Sequence, residues 1–97
     1  MQLRFKQWDC EVEFKQYFNG RVAIQLNDVE DGAPVAVATV NVPDEVIADN
    51  EVVIKDYSEN AGIVSALIEG DVIKPSHRYV KVSEYVICPV CYLKIKL

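Results

Sequence analysis

The sequence lacks the residue groupings on which most small catalytic and metal sites depend. It has one histidine, His77, and its four glycines are scattered singly, so it contains no phosphate-binding glycine loop. Three cysteines are an odd number, which argues against a secreted disulfide scaffold. No apolar run has the length of a membrane span, and the first residues alternate in polarity instead of forming a signal-peptide core. We therefore expect a cytoplasmic protein that does not associate with membranes.

The length and composition are those of one small globular domain. Of the 97 residues, 51% are hydrophobic, so a single domain over residues 1–97 can build a core. Fifteen acidic side chains against ten basic ones give a net charge of −5. This balance argues against direct nucleic-acid binding, because phosphate contacts need a basic surface. An ordinary acidic protein and an acidic mimic of DNA both fit the composition.

Residues 55–71 carry the one helical pattern of the chain. Asp56 is suited to the N-cap, and Glu59 lies where it can complete a capping box. Apolar residues three and four positions apart form one stripe, which predicts a helix that lies on a sheet. The stripe consists of Ala61, Ile63, Val64, Leu67 and Ile68. Gly70 is expected to end the helix as a left-handed cap. The predicted helix covers about residues 57–69.

The first two predicted strands, Leu3–Lys6 and Cys10–Tyr17, alternate apolar and polar residues. Side chains on a strand alternate between faces, so matching the apolar faces restricts the pairing register. A register that also places opposite charges across from each other is favoured. The predicted pairs are Phe5–Val12, Leu3–Phe14, Lys6–Glu11 and Arg4–Glu13.

The second hairpin is predicted around Asn19-Gly20. A three-residue loop at 18–20 places Gly20 where the backbone needs a positive φ, with a glycine bulge. The third strand is then Arg21–Asn27. This loop pairs Phe14 with Ile24 and Val12 with Leu26.

The remaining strands complete the fold prediction. Val35–Val42 is apolar on both faces, which is typical of a central strand. Pro89 is expected to interrupt pairing or to lie at a sheet edge. The other predicted strands are Glu51–Lys55, Arg78–Val82, Tyr85–Ile87 and Val90–Ile95. The fold class is α+β, with a mostly antiparallel curved sheet of five to seven short strands and a single helix packed on one face.

Cys88 and Cys91 have the C-x-x-C spacing of zinc sites and redox dithiols. A structural zinc site needs four ligands, and Cys10 and His77 complete one only if folding happens to bring them there. A redox dithiol normally opens a helix, whereas this pair lies among strand residues. Residues three apart on a regular strand point to opposite faces. We expect two structural cysteines, and no metal, cofactor or catalytic residue.

The densest polar cluster of the chain lies at the predicted helix start. It consists of Asp56, Tyr57, Ser58, Glu59 and Asn60. Such a cluster serves either as a partner-contact site or as helix-capping chemistry. We take these five residues as the candidate site for contact with a partner and keep capping as the alternative.

Two segments of the chain carry a family resemblance. The first consists of AIQL at 23–26, VEDGAPVA at 29–36 and ATVNVP at 38–43, and the second of IKDYSENAG at 54–62 and ALIE at 66–69. Together they resemble a family of small proteins of unknown function encoded by phages, plasmids and integrated elements of gut bacteria. The resemblance covers about half of the chain. Cys91 fits the C-terminal pattern of that family, whereas Cys88 does not belong to it. The resemblance implies a mobile-element accessory protein, with no substrate, cofactor or catalytic residue.

The leading functional hypothesis is a small non-enzymatic binding protein of a phage or mobile element. It would act in the cytoplasm through contacts with a protein partner that the sequence does not identify, and self-association into a homo-oligomer is a further hypothesis. Two alternatives stay open. One is an acidic anti-restriction or anti-defence mimic, and the other is a small zinc-binding or enzymatic protein that uses Cys88 and Cys91.

Overall fold

A computed structural model describes all residues, 1–97, and confirms the α+β class. Seven strands pair antiparallel in two sheets with the strand orders β1-β2-β3-β4 and β5-β7-β6. The strands are β1 Gln2–Phe5, β2 Trp8–Gln16, β3 Val22–Asp28, β4 Pro34–Val37, β5 Glu51–Val53, β6 Ile73–Ser83 and β7 Val86–Leu93. A 3₁₀ turn at Ser58–Asn60 precedes the one α-helix, α1, at Ile63–Glu69. The single predicted sheet is thus divided in two.

The chain passes from the first sheet to the second at residues 38–40. The N–H of Ala38 donates to Ile24 of β3, while its carbonyl accepts from Lys55. One residue later Thr39 bridges to Ile54, next to the end of β5. The prediction of a central strand over Val35–Val42 is therefore wrong. β4 ends at Val37 and lies at the edge of the first sheet. Of the apolar residues after it, Ala38 is buried in the core cluster that includes α1, whereas Val40 and Val42 pack against Val53, Val80, Cys88 and Val90 of the second sheet.

The first hairpin forms, but its predicted register is wrong. Phe5 lies opposite Trp8 and Leu3 opposite Cys10, so β2 is shifted by four residues from the predicted pairing. Lys6 and Gln7 make the tight turn, and Lys6 adopts a φ of 55°. Because the shift is an even number of residues, every side chain keeps its predicted face. Leu3, Phe5, Cys10 and Val12 are all buried.

The second hairpin confirms its predicted register. Val12 lies opposite Leu26 and Phe14 opposite Ile24. Gly20 has a φ of 86°, a left-handed conformation that side chains rarely adopt.

The helical segment is interrupted where one continuous helix was predicted. Gly62, with a φ of 93°, separates the 3₁₀ turn from α1. Oδ1 of Asp56 accepts a hydrogen bond of 2.6 Å from the N–H of Gly62, so this carboxylate supports the start of α1 and not the start of the 3₁₀ turn. The predicted capping box is wrong, because Glu59 accepts from Lys55 Nζ at 3.0 Å instead of turning back to the helix.

Gly70 ends α1 for a steric reason and not for the predicted conformational one. Its φ is −81°, and the left-handed residue is Asp71, with a φ of 60°. A Cβ added at Gly70 would lie 2.9 Å from Cβ of Leu3, so glycine allows the helix end to approach β1.

No helix of the chain is long and apolar enough to cross a bilayer.

Pro89 lies in the middle strand of the second sheet, which contradicts its predicted place at an edge or a break. It stands opposite Tyr79 in the β6–β7 pairing. Its carbonyl accepts from the N–H of Ile54, just after β5 ends, while the carbonyl of Ile54 accepts from Asp56. The ladder therefore requires no donor at Pro89, and proline is tolerated there.

The core consists of two clusters. The larger one packs α1 through Ile63, Ala66 and Leu67 against both sheets and includes Cys91. The smaller one lies on the other face of the second sheet and is formed by Val53, Val80, Cys88 and Val90.

The close approach of α1 to β1 predicts the sign of a substitution. Gly70→Ala should lower the free energy of unfolding by about 1–3 kcal/mol, because the new methyl group overlaps Cβ of Leu3, which cannot move without the backbone. Urea unfolding followed through the one tryptophan, Trp8, measures this change. Ser65→Ala, at an exposed position of α1, is the matched control and should stay within about 0.5 kcal/mol. A Gly70→Ala variant as stable as the parent would show that the contact does not constrain the fold.

Candidate functional site

The five residues of the predicted contact site lie in the connection between β5 and α1. Two of them, Asp56 and Asn60, serve the fold. Asp56 supports the start of α1, and Asn60 is 2% exposed and donates from Nδ2 to the carbonyl of Val37 at 2.7 Å. Ser58 is exposed and has a φ of 56°. The capping alternative thus accounts for part of the cluster.

Tyr57, Glu59 and Asn60 form one wall of an open groove of about 430 Å³. The opposite wall comes from β4 and the segment that follows it, and Tyr17 also lines the groove. The remaining lining residues are Val35, Ala36, Val37, Thr39, Val40, Asn41 and Lys55. The structure therefore brings the predicted residues together with β4 and the segment after it, which lie at least 16 positions earlier in the chain.

The backbone of β4 faces this groove at Val37. Ala36 pairs with Leu26, and the N–H of Ala38 donates to Ile24, so the N–H and carbonyl of Val37 point away from β3. Asn60 already occupies the carbonyl of Val37. The Val37 N–H is the backbone donor left on this side of the strand.

Two residues before Val37, β4 is irregular. A register shift between Leu26 and Asn27 leaves Val35 as the extra residue of a bulge. The apolar side chains of Val35 and Val37 both line the groove.

The charged groups of the groove are paired on one wall. Lys55 Nζ lies 3.0 Å from Glu59 Oε1 and 5.5 Å from the centroid of the Tyr57 ring. The pKa of the Glu59 carboxyl is lowered by a hydrogen bond from its own backbone N–H and then by Lys55. The hydrogen bond from Lys55 Nζ to the Glu59 carboxylate raises the pKa of Lys55. At neutral pH this wall presents a charged pair beside an aromatic ring.

The cysteines occupy buried structural positions. Cys88 and Cys91 pack in different core clusters, as expected for residues three apart on a strand. Burial raises the pKa of the Cys10 and Cys88 thiols, and it raises that of Cys91 to about 11. His77 is exposed in β6 with a φ of 63°. No three side chains of His, Cys, Asp or Glu come together in a group that can hold a metal ion.

Sequence reasoning missed Tyr17 and the two valines of β4 as groove residues. Their polarity pattern is that of ordinary strand residues, and nothing in it indicates which surface lies opposite. The one usable signal is the apolar character of both faces of Val35–Val42, which requires a cover on each side.

Asn60 is expected to hold the groove in shape. Asn60→Ala removes the donor to the Val37 carbonyl and leaves this carbonyl beside a small cavity, so the free energy of unfolding should fall by about 1–3 kcal/mol. Urea unfolding measures the loss. Asn41→Ala, at a partly exposed lining position, is the control and should change stability much less. Equal effects of the two variants would contradict a special role for Asn60.

The buried thiol of Cys91 predicts an alkaline loss of stability. The thiol in the unfolded chain ionises near the ordinary pKa of 9.0, whereas in the folded chain it ionises near 11. The protonated Cys91 thiol makes its full contribution to the free energy of unfolding below pH 9. This contribution is lost as the pH rises from 9 to 11, by up to about 1.4 kcal/mol per pH unit. Urea unfolding at pH 8 to 11 under reducing conditions measures the slope. Cys91→Ala should have a shallower slope, and an unchanged slope would contradict the assignment.

Comparison of the chain with protein-family models, with curated proteins and with solved structures gave no match. The resemblance to small proteins of phages and mobile elements stays a prediction from the sequence. Support for a function therefore comes from the geometry of the groove.

Proposed function

We propose that this chain is a non-enzymatic binding protein that takes up an extended segment of a protein partner in the groove between β4 and residues 55–60. The family resemblance supplies the proposed setting, which is an accessory role for a phage or mobile element in the bacterial cytoplasm. The partner's segment would lie alongside β4 and contact Tyr57 and Glu59.

The observation that carries the proposal is the open side of Val37. Its N–H points into a groove that is flanked by apolar side chains on one wall and by a charged pair on the other. An extended peptide binds such an edge through a backbone hydrogen bond, and its side chains enter the neighbouring depressions. Asn60 already occupies the Val37 carbonyl, so the partner's segment would accept from the Val37 N–H.

The longest edge strand, β6, is irregular at two places. β6 carries Pro75, which has no N–H to donate, and a register shift between Pro75 and Arg78. A second shift follows between Lys81 and Ser83. Bulges, prolines and lysines discourage edge strands from pairing with other chains. Because β4 also has a bulge, at Val35, and begins with Pro34, the partner's segment would pair with it at Val37 only.

The polar groups around the groove support binding more than catalysis. Asp56 holds the start of α1, Asn60 holds β4, and Glu59 is paired with Lys55. A general base or nucleophile must be free to contact the reacting atom of a substrate, whereas each of these groups is bonded to a partner within the chain.

Acidic mimicry receives little support from the first sheet. Its carboxylates are interleaved with cations: Glu11 lies 3.0 Å from the N-terminal amine, and Asp9 lies 3.0 Å from Arg4. Glu13 lies 3.8 Å from Lys15 Nζ. A row of neutralised pairs does not reproduce the charge of a phosphate backbone.

Site-specific photo-crosslinking tests the groove. Val37 is replaced by a benzophenone amino acid in a tagged chain, which is then irradiated in lysate of its bacterial host. The expected product is one crosslinked protein partner, identified by mass spectrometry. Val46 is the matched control, because it is a valine that is also exposed but does not line the groove.

Two substitutions complete this test. Tyr57→Ala and Glu59→Lys, each combined with the crosslinker at position 37, should reduce the crosslinked product several-fold while circular dichroism shows a folded chain. A product of equal yield from positions 37 and 46, no product from position 37, or a crosslink only to a second copy of this chain would each overturn the proposal.

A further inference from the structure

The β6–β7 hairpin presents an apolar face that no other part of the chain covers. Tyr79 lies opposite Pro89, and Lys81 lies opposite Ile87, so these four side chains share one face of the sheet, here called the hairpin face. Tyr79 is 63% exposed and Ile87 66% exposed. Tyr85, in the turn beyond them, is 91% exposed.

The hairpin face is uncovered because α1 is short. Cys91 is two residues beyond Pro89 on the same face, and it is buried in the larger core cluster together with Ile63 and Leu67 of α1. The seven residues of α1 cover that end of the sheet only. At the boundary, Val64 of α1 and Tyr79 line a depression of about 270 Å³.

The charge of this region is opposite to that of the rest of the chain. Residues 74–97 contain five Lys and Arg and one Glu, a net charge of +4, whereas residues 1–73 contain five Lys and Arg and 14 Asp and Glu, a net charge of −9. Lys81 belongs to none of the six ion pairs of the structure. The hairpin face thus combines a tyrosine, an isoleucine and a cation without a partner.

We propose that the hairpin face is a second docking surface, which binds a protein segment that carries a carboxylate flanked by apolar side chains. The carboxylate pairs with Lys81, and the apolar side chains pack on Tyr79 and Ile87. Tyrosine is enriched in protein interfaces because its ring buries a large area and its hydroxyl stays hydrogen-bonded. This surface is separate from the groove, and the inference does not depend on the groove being occupied.

Charge complementarity decides between this occupant and two others. A second copy docked through the same face supplies no Asp or Glu from that face to pair with Lys81. A nucleic acid needs several cations that follow its phosphates, but this face has one lysine. The neighbouring depression is lined by the carboxylate of Asp56 and by Arg78, which is paired with Glu51. An acidic and apolar protein segment meets neither objection.

Selection from a random peptide-display library tests the proposal. The immobilised parent chain should enrich peptides that place Asp or Glu beside Leu, Ile or Phe. Lys81→Glu should enrich Lys or Arg at that place, and a synthetic peptide selected on the parent should bind the variant about tenfold more weakly or worse. Lys96→Glu is the matched control, because it makes the same charge change at an exposed lysine away from the hairpin face and should leave the selection unchanged.

Further variants separate the two surfaces. Ile87→Ser should weaken the selected peptide, whereas Tyr57→Ala in the groove should not. The proposal is overturned if no acidic motif is enriched, if Lys81→Glu and Lys96→Glu bind the peptide equally, or if sedimentation shows that this face associates with a second copy instead. Failure of the groove crosslink leaves these results unaffected, so the two proposals fail independently.

Discussion

The backbone between Ala38 and Val40 belongs to both sheets, and the arrangement of the molecule depends on this crossing. Ala38 hydrogen-bonds to β3, and two residues later the N–H of Val40 donates to β5. Where the chain leaves the first sheet, the N–H of Ile24 donates to the hydroxyl of the buried Thr39 at 3.2 Å. A buried N–H without a partner is costly, so a side chain that replaces the departing strand makes the crossing stable. Tyr17 completes this polar contact with a hydroxyl 2.9 Å from that of Thr39.

The candidate groove follows from the same crossing. Because β4 ends at Val37 and the chain continues into the second sheet, the outer side of β4 faces the connection between β5 and α1. Lys55 ties that connection to the crossing through its N–H, and Asn60 ties it to β4. The width of the groove is therefore set by two hydrogen bonds that also hold the sheets together. This is why Asp56 and Asn60, which serve the fold, flank the groove residues Tyr57 and Glu59 within 56–60.

The sequence predicts which face of a sheet each side chain lies on better than it predicts which strands and residues pair. The second hairpin was predictable because Gly20 specifies its loop. Lys6-Gln7 has no turn signal, so the predicted register of the first hairpin was wrong although the faces of its side chains were right. The division into two sheets was not predictable, since apolar residues on both faces suit a central strand and a strand that passes between two sheets equally well. Pro89 misled the assignment of β7 because its lack of an N–H matters only where the ladder requires a donor. The groove depends on contacts between distant segments, so only its 56–60 wall was accessible from the sequence.

The interruption at Gly62 connects the two proposed surfaces. Its left-handed backbone and the carboxylate of Asp56 make α1 begin at Ile63, several residues after the predicted start. The segment before this point turns away from the helix axis and becomes a wall of the groove. The remaining helix is then too short to reach the far end of the second sheet, which leaves the hairpin face at Tyr79 and Ile87 exposed. A continuous helix over 57–69 would gain backbone hydrogen bonds but would change both surfaces. The chain is therefore not regular helix at the place that shapes both proposed surfaces.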